Sequence, residues 1–215
     1  MLAHAKRPAL VIVDMQNDFV RVGAPMEVPA ARTILPDLAR VLAAFRTADL
    51  PVIYTRYVAA QEYRHLRERL SWLKLIEPPV SACVPGHKRQ FKDIEDERDG
   101  ADVIDELAPM ERDLVVDKIY FSAFHATALQ DMLCAAKVDS LVVSGAITEM
   151  CVEDTARHAV HHAYPTAILS DCVASNSPDA QAATLRAFAE NYGWVMDSIA
   201  ACAAIQACAT EHGKG

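Results

Sequence analysis

The sequence predicts an α/β fold: a doubly wound, mainly parallel six-stranded sheet with helices on both faces, a Rossmann-like three-layer sandwich. Short, strongly apolar segments without polar alternation recur along the chain, and such segments are typical of strands that are buried on both faces. Stretches of helical pattern separate them. A strict alternation of strand and helix favours parallel strand pairing.

The apolar segments predict the strands of this sheet. The first four are rich in Val, Ile and Leu, the fifth is similar, and the sixth is weaker. In chain order they are ALVIVD (9–14), PVIYT (51–55), DLVVDK (113–118), SLVVSG (140–145), TAILSD (166–171) and the residues around WVM (194–196).

The segments between the strands predict the helices at 31–49, 124–137, 151–163 and 177–192. The last of these begins with Ser177, a good N-cap residue, followed by Pro178 at the first helical position. The segment EPPVSACVPGHKRQ (77–90) has the least regular pattern. It is a candidate cover for a ligand site, unless a partner subunit completes that site.

Composition limits the class of protein. With 215 residues, 52% of them apolar and 23% charged, the chain is expected to form one domain over 1–215. The net charge of −8 argues against nucleic acid as a partner, because phosphate binding needs a basic face. The apolar run before Asp14 is too short for a signal peptide or a membrane span. Six cysteines without a CxxC pair favour reduced thiols. We therefore expect a cytoplasmic protein with no membrane partner.

Reactive side chains follow three of the predicted strands. Asp14 ends the first strand, Lys118 ends the third, and Cys151 follows the fourth through a short turn. The carboxyl ends of parallel strands meet at one edge of the sheet, which is where doubly wound sheets bind ligands. The three residues are therefore expected on the same edge.

Cys151 admits three interpretations. With Arg157 it fits C-x5-R, the spacing of a phosphate loop, but the insert VEDTA has no glycine and two carboxylates that would repel phosphate. The second interpretation is a small buried apolar side chain, the usual state of an isolated cysteine. The third is a nucleophile at a helix N-terminus, where the helix dipole lowers a thiol pKa from about 8.5. Asp14 and Lys118 would then supply a base and a cation.

Three segments resemble the isochorismatase-like cysteine hydrolases, a family that includes nicotinamidases, N-carbamoyl amidases and ureidoacrylate or biuret amidohydrolases. They are LVIVDMQNDF (10–19), DKIYFSAFHATAL (117–129) and VVSGAITEMCVEDTARHA (142–159). Their order and spacing match the family, and the resemblance runs from about residue 8 to about residue 198. It implies an isochorismatase-like fold and hydrolysis of a C–N amide or ureido bond of a small molecule through a thioester.

The resemblance also assigns the site residues. It implies a catalytic triad of Asp14, Lys118 and Cys151, and a cis peptide between Ala146 and Ile147. The backbone N–H groups of Ile147 and Cys151 would form the oxyanion hole. No cofactor is implied, and family members are usually homo-oligomers, either dimers or tetramers.

Four further residues are candidates for substrate binding. Phe19 matches an aromatic that lines the pocket in the family, and Phe121 is the aromatic that follows the lysine motif. Arg56 and Tyr57, at the end of the second strand, could face the mouth of the pocket, and a substrate carboxylate is the expected ligand there.

The sequence departs from the nicotinamidases, which carry an Asp-x-His metal site after the second strand. The corresponding segment, YTRYVAAQEYRHLRERL (54–70), has no Asp-x-His, and His65 is interpreted as a helix-surface residue. His158, His161 and His162 are interpreted as a partly exposed helix end, so no metal is expected. Two alternatives to amide hydrolysis stay open: isochorismatase-type vinyl-ether hydrolysis, and a non-catalytic binding member of the family.

Overall fold

The computed structural model describes residues 1–2, 5–59 and 68–212, and the side chains of the last helix up to residue 207. In chain order the strands and α-helices are β1 (Pro8–Val13), α1 (Asn17–Val20), α2 (Ala30–Thr33), α3 (Leu35–Thr47), β2 (Val52–Tyr57), β3 (Lys88–Arg89), β4 (Arg98–Asp99), β5 (Leu114–Lys118), α4 (Leu129–Ala135), β6 (Ser140–Ala146), α5 (Glu153–His161), β7 (Thr166–Ala174), α6 (Pro178–Asn191), β8 (Trp194–Met196) and α7 (Ser198–His212).

Six of the strands form one sheet in the order β5-β2-β1-β6-β7-β8, and every neighbouring pair is parallel. The predicted doubly wound sheet is confirmed. From β1 the chain moves outward to β2 and β5, then returns to β6 and moves outward in the other direction. The strand order therefore reverses between β1 and β6, which is the usual ligand position in such sheets.

Helices cover both faces of the sheet, and the alternation of side chains along β1 shows how. Leu10 and Ile12 pack in one hydrophobic cluster with residues of α3 and α7. Val11 and Val13 pack in the other cluster, with residues of α4, α5 and α6. Since both faces of β1 are buried, an unbroken apolar run is the pattern that its position requires.

Two predicted helices differ from the observed ones at their N-terminal ends. The predicted helix at 31–49 is two helices, because the chain breaks at Ile34 and Pro36 lies in the first turn of α3. Proline is favoured there, since its missing N–H would have no partner inside the helix. The predicted helix at 124–137 begins only at Leu129, whose N–H donates to the hydroxyl of Thr127 over 3.2 Å.

Two features are not predicted from the sequence: helix α7 and the small sheet of β3 and β4, two antiparallel strands of two residues each. Helix α7 is held against the sheet by Asp171 of β7, whose carboxylate accepts hydrogen bonds from the N–H of Ser198 at 2.9 and 3.1 Å. The hydroxyl of Ser198 donates to the same carboxylate over 2.7 Å. Within the described part of the chain, no helix combines the length and the apolar character needed to cross a membrane.

Candidate active site

Three side chains that are far apart in the sequence meet at the carboxyl edge of the sheet. Asp14 follows β1, Lys118 ends β5, and Cys151 lies in a π-helical turn, Thr148–Val152, between β6 and α5. Lys118 Nζ donates to Asp14 Oδ2 over 2.7 Å and lies 3.2 Å from Cys151 Sγ. Asp14 and Lys118 are each 1% exposed and Cys151 is 7% exposed. The lysine thus joins an acid and a thiol in one buried cluster.

Asp14 is held by the neighbouring strand β2. The Thr55 hydroxyl donates to Asp14 Oδ1 over 2.6 Å. The Asp14 N–H donates to the Thr55 carbonyl over 3.1 Å. Asp14 has a φ of +48°, a left-handed conformation that aspartate tolerates better than most residues. The carboxylate is thereby turned out of the strand direction with one oxygen bonded to Thr55 and the other to Lys118.

Gly145 allows β6 to lie close to β1 just before the turn that carries Cys151. Its φ is +108°, and a Cβ at this position would lie 2.1 Å from the carbonyl oxygen of Val13. Only glycine fits such an approach without moving one of the two strands. The close approach brings the turn that carries Cys151 next to the end of β1 and hence next to Asp14.

The ammonium of Lys118 remains charged although it is buried. Burial opposes the charge, but the Asp14 carboxylate and Cys151 outweigh it and raise the pKa of Lys118. Nζ also donates to the Tyr120 carbonyl over 3.2 Å. In addition it lies 5.6 Å from the centre of the Tyr57 ring, a cation–π distance.

The thiol of Cys151 differs from the prediction. Burial raises its pKa, the Lys118 ammonium opposes that effect, and the Asp14 carboxylate adds to it. The expected lowering of the thiol pKa is therefore wrong in direction, because burial outweighs the effect of the Lys118 ammonium. The thiol lies beside the ion pair of Lys118 and Asp14.

The turn before Cys151 is fixed by backbone and side-chain contacts. The peptide bond between Ala146 and Ile147 is cis. The N–H groups of Met150 and Val152 donate to the Ile147 carbonyl over 3.0 and 3.2 Å. The hydroxyl of Thr155, one turn further along, accepts the N–H of Ala123 over 3.0 Å and so ties α5 to the segment after Lys118.

A cavity of about 290 Å³ opens beside Cys151. The predicted substrate-binding residues Phe19, Tyr57 and Phe121 all line it, together with Ala146 and Ile147 of the turn. The other residues that line the cavity were not predicted from the sequence: Pro25, Met26, Glu27, Trp72, Leu75, Met150 and Asn176. These lie in loops and turns, where no strand or helix period marks which side chains point inward.

Arg56, which was predicted to contact substrate, is not among the residues that line the cavity. Successive residues of a strand point to opposite faces, so Tyr57 faces the cavity and Arg56 faces away from it. The guanidinium is held by Asp117 at 2.7 and 2.9 Å and by Asp102 at 2.8 Å. These two carboxylates already occupy the group that was expected to bind substrate.

The segment 77–90 packs beside the site rather than over it. The N–H of Cys83 donates to the buried carboxylate of Asp18 over 2.7 Å, and Arg89 Nε lies 3.0 Å from the same carboxylate. Among the described residues, Trp72 of the short 3₁₀ helix Ser71–Lys74 and Leu75, which follows it, line the cavity.

The residues after Cys151 bear on two other interpretations, a phosphate loop formed with Arg157 and a metal site formed by histidines. Arg157 forms an ion pair with Glu153 and lies over the Tyr192 ring at 4.6 Å. Because the residues between Cys151 and Arg157 lie in the π-helical turn and in α5, they form no loop that could bind a phosphate. His158 Nδ1 lies 2.5 Å from the Ser122 hydroxyl. No group of three or more His, Cys, Asp or Glu residues that could hold a metal lies in the described ranges; His65 is outside them.

The site has a buried thiol beside an acid and a lysine, at the switch point of a doubly wound sheet. This arrangement is that of a candidate cysteine hydrolase. Comparison with known proteins gives the family. The Isochorismatase domain matches residues 8–200, so the chain belongs to the isochorismatase family. The resemblance seen in the sequence is confirmed.

Relatives and solved structures agree with this assignment. Maleamate amidohydrolase of Pseudomonas putida is 27% identical over 197 residues, covering 91% of this chain and 85% of its own. Ureidoacrylate amidohydrolase of Methylorubrum extorquens is 30% identical over 217 residues, covering 94% and 84%. The crystal structure of a cysteine hydrolase from Pseudomonas syringae pv. phaseolicola has a TM-score of 0.79 at 28% identity, covering 94% of this chain and 93% of that chain.

Proposed function

We propose that the protein is a cysteine hydrolase that cleaves a C–N amide or ureido bond of a small molecule through a thioester intermediate. The observation that carries this proposal is the cluster in which Lys118 Nζ contacts both Asp14, at 2.7 Å, and Cys151, at 3.2 Å, at the wall of a cavity. The two relatives named above are amidohydrolases, which supports C–N bonds as the target.

In the first half-reaction, Asp14 takes the thiol proton while Sγ of Cys151 attacks the substrate carbonyl carbon. Since burial raises the pKa of the Cys151 thiol, we place the proton transfer to Asp14 together with the attack. Lys118 keeps its proton and balances the negative charge that moves from Asp14 toward the sulfur. A positioned proton acceptor of this kind contributes about 10²–10⁴ in rate.

The carbonyl oxygen becomes an oxyanion at this step. The N–H groups of Ile147, which precedes the turn, and of Cys151, which lies in it, are proposed to donate hydrogen bonds to this oxygen. Two other N–H groups of the turn are already used, since those of Met150 and Val152 donate to the Ile147 carbonyl. Loss of one oxyanion donor typically lowers the rate by about 10²–10³.

The C–N bond then breaks and Asp14 returns its proton to the departing amine, which completes the first half-reaction and leaves the acyl group on Cys151 as a thioester. Asp14, again a carboxylate, then takes a proton from a water molecule that attacks the thioester carbonyl. The C–S bond breaks, the sulfur recovers a proton and the acid product leaves. The water thus supplies one hydroxyl group to the acid and one proton to the thiol.

Ammonia release from a panel of primary amides and ureido compounds tests the proposal. Cys151→Ala is expected to abolish release, whereas Cys134→Ala, which changes an exposed thiol away from the site, is expected to leave it intact. Brief mixing with substrate followed by intact-mass measurement should show the acyl adduct on wild-type protein only. Ammonia release by Cys151→Ala at the wild-type rate would rule out the thioester route.

The same panel separates the two alternatives. A vinyl-ether hydrolase releases a pyruvate-type product from an enol ether and no ammonia from any amide. A binding member of the family shows saturable ligand binding without an acyl adduct or a product. Either result would overturn C–N hydrolysis.

The protein is also proposed to be a homo-oligomer, as its family resemblance implies. Apolar side chains are exposed next to one edge of the sheet, where Trp194 is 47% and Ile199 is 70% exposed. Light scattering gives the molar mass directly, and a monomeric mass at micromolar concentration would contradict the proposal. Ile199→Asp serves as the variant that is expected to weaken association.

A further inference from the structure

Asp18 is a buried charge that the proposed mechanism does not use. It is 0% exposed and follows Asp14 by four residues in the same sequence motif. A buried carboxylate is costly unless nearby groups pair with it and donate hydrogen bonds to it. The Cys83 N–H donates to Oδ2 over 2.7 Å. On Arg89, Nε lies 3.0 Å from Oδ1 and Nη2 donates to Oδ2 over 3.3 Å. Both partners belong to the segment 77–90, so the carboxylate ties α1 to that segment.

The Asp18 carboxylate fits closely against Gly100. A Cβ on Gly100 would lie 2.1 Å from Asp18 Oδ2, and the Asp18 N–H donates to the Gly100 carbonyl over 2.9 Å. A side chain at position 100 would therefore push the carboxylate away from its present place. The contacts of Asp18 with Cys83 and Arg89 thus depend on glycine at this position.

The segment that Asp18 holds has an unusual backbone. Ser81 and Cys83 have φ values of +50° and +54°, in the left-handed region that residues with a Cβ adopt rarely. Such a conformation persists only where the surroundings enforce it. Arg89 Nη2 donates to the carbonyls of Val80 and Ser81 over 2.9 and 3.1 Å. Asp18 in turn holds Arg89 and the N–H of Cys83. The ion pair therefore fixes the residues around both left-handed positions.

Two hydrogen bonds connect this segment with the wall of the cavity. The Ala82 N–H donates to the Leu75 carbonyl over 2.8 Å, and the Leu75 N–H donates to the Trp72 carbonyl over 2.9 Å. Trp72 and Leu75 line the cavity, and so does Phe19, the neighbour of Asp18 in the chain. The buried carboxylate is therefore connected to cavity-lining residues from two distant parts of the sequence.

We propose that Asp18 is a positioning residue for substrate binding, which holds the segment 71–83 in the place that shapes the cavity. This inference rests on the proposed function and adds a residue to its binding site. Asp18 is not among the residues that line the cavity, so it acts through the segment that it holds. Its loss should weaken substrate binding and leave the chemical step nearly intact, because Asp14, Lys118 and Cys151 are joined by contacts of their own.

Asp18→Asn tests the proposal, since it keeps the volume of the side chain and removes the charge that pairs with Arg89. We expect KM for the best amide of the panel to rise about 10-fold or more, with kcat within about 3-fold of wild type. Gly100→Ala displaces the same carboxylate without removing a charge and should raise KM as well. Arg89→Met should also raise KM, and Arg89→Lys should recover part of that loss. An unchanged KM in these variants, or a fall in kcat alone, would overturn the inference.

Asp113 offers a matched control near the amino ends of the strands. Its carboxylate is 2% exposed and pairs with Arg46, which is 16% exposed; the values for Asp18 and Arg89 are 0% and 19%. Asp113→Asn should therefore lose a similar amount of stability in urea unfolding, with KM and kcat unchanged. An equal rise of KM in Asp113→Asn and Asp18→Asn would show that lost stability alone explains the effect, and would reject a positioning role.

Fluorescence separates this inference from the proposed function, because it needs no turnover. Trp72 and Trp194 are the only tryptophans of the chain, so Trp72 is the sole one in Trp194→Phe. In that background Asp18→Asn should increase the quenching of Trp72 by acrylamide, because the released segment exposes the ring, and Asp113→Asn should not. Increased quenching in a protein that hydrolyses no amide would retain the role of Asp18 in holding the segment and reject hydrolysis. Amide hydrolysis with unchanged quenching and unchanged KM would do the reverse.

Discussion

Replacement of Lys118 by methionine is predicted to have a large effect on the stability of the protein. The variant keeps most of the side-chain volume and removes the ammonium, whose Nζ lies 2.7 Å from Asp14 Oδ2 in an interior that excludes solvent. At that distance and an effective dielectric constant near 20, the Coulomb attraction is about 6 kcal/mol. Desolvation of the two charges offsets much of this energy, so the pair contributes far less than its attraction.

The single variant is nevertheless costly, because it leaves the Asp14 carboxylate buried without its cation. Breaking a buried pair in this way typically costs about 3–5 kcal/mol of unfolding free energy. For a domain of this size that corresponds to a fall in Tm of about 6–20 °C. The combined variant Asp14→Asn/Lys118→Met removes both charges and should recover part of the loss.

Urea unfolding followed by circular dichroism measures these free energies, with Lys88→Met as a control on an exposed lysine. Lys88→Met should lie within about 0.5 kcal/mol of wild type. The reasoning is refuted if Lys118→Met is as stable as the control, or if the added Asp14→Asn change recovers nothing. In either case the ion pair seen here would not be the feature that holds the carboxylate.

Three further predictions concern the same edge of the sheet. Thr55→Val removes the hydroxyl that donates to Asp14 Oδ1 over 2.6 Å. The variant should lower kcat by about 10-fold or more with KM nearly unchanged. An unaltered kcat in steady-state assays would show that Thr55 does not position Asp14. Burial raises the pKa of the Cys151 thiol, so the folded state holds this proton more tightly than the unfolded state, and stability is lost as pH rises above about 8.5. Cys151→Ala should therefore make the alkaline fall of the unfolding free energy shallower, by up to about 1.4 kcal/mol per pH unit. An identical slope for the variant and the wild type in urea titrations would contradict the shift. Gly145→Ala places a Cβ 2.1 Å from the Val13 carbonyl oxygen and should lower both the Tm and the yield of folded protein. If calorimetry gave the wild-type Tm for this variant, β1 and β6 could move apart without cost.

The sheet and the reactive cluster could be predicted because their signals are local. Apolar runs predict strands, and Asp14 and Lys118 stand at the ends of two of them. Strand β1 is buried on both faces as predicted, whereas β5 lies at an edge of the sheet and is partly exposed. Parallel pairing then places both residues at one edge. The geometry of the cluster goes beyond this, since the 2.7 Å contact spans 104 residues of sequence. No local pattern gives that distance.

The cavity wall and the thiol pKa could not be predicted in the same way. Trp72 lies in a 3₁₀ turn, where neither a helical nor a strand period tells which side faces inward. Arg56 and Tyr57 were expected together, but the strand turns them to opposite faces and Asp117 and Asp102 hold the arginine. The direction of the Cys151 pKa depends on burial by several elements at once, which a helix-terminus argument leaves out.

The place of Lys118 in the sheet has a consequence for the lifetime of the active state. Among the described residues, β5 is the outermost strand on its side of the sheet and pairs with β2 alone. Val115 on this strand is 38% exposed. Edge strands open locally at lower free energy than the central strands do. Detachment of five residues would withdraw the ammonium from Asp14 and Cys151 while β1 and β6 stay paired. Under the proposed mechanism, turnover therefore depends on this one edge strand, and heat or denaturant should abolish turnover before the core unfolds.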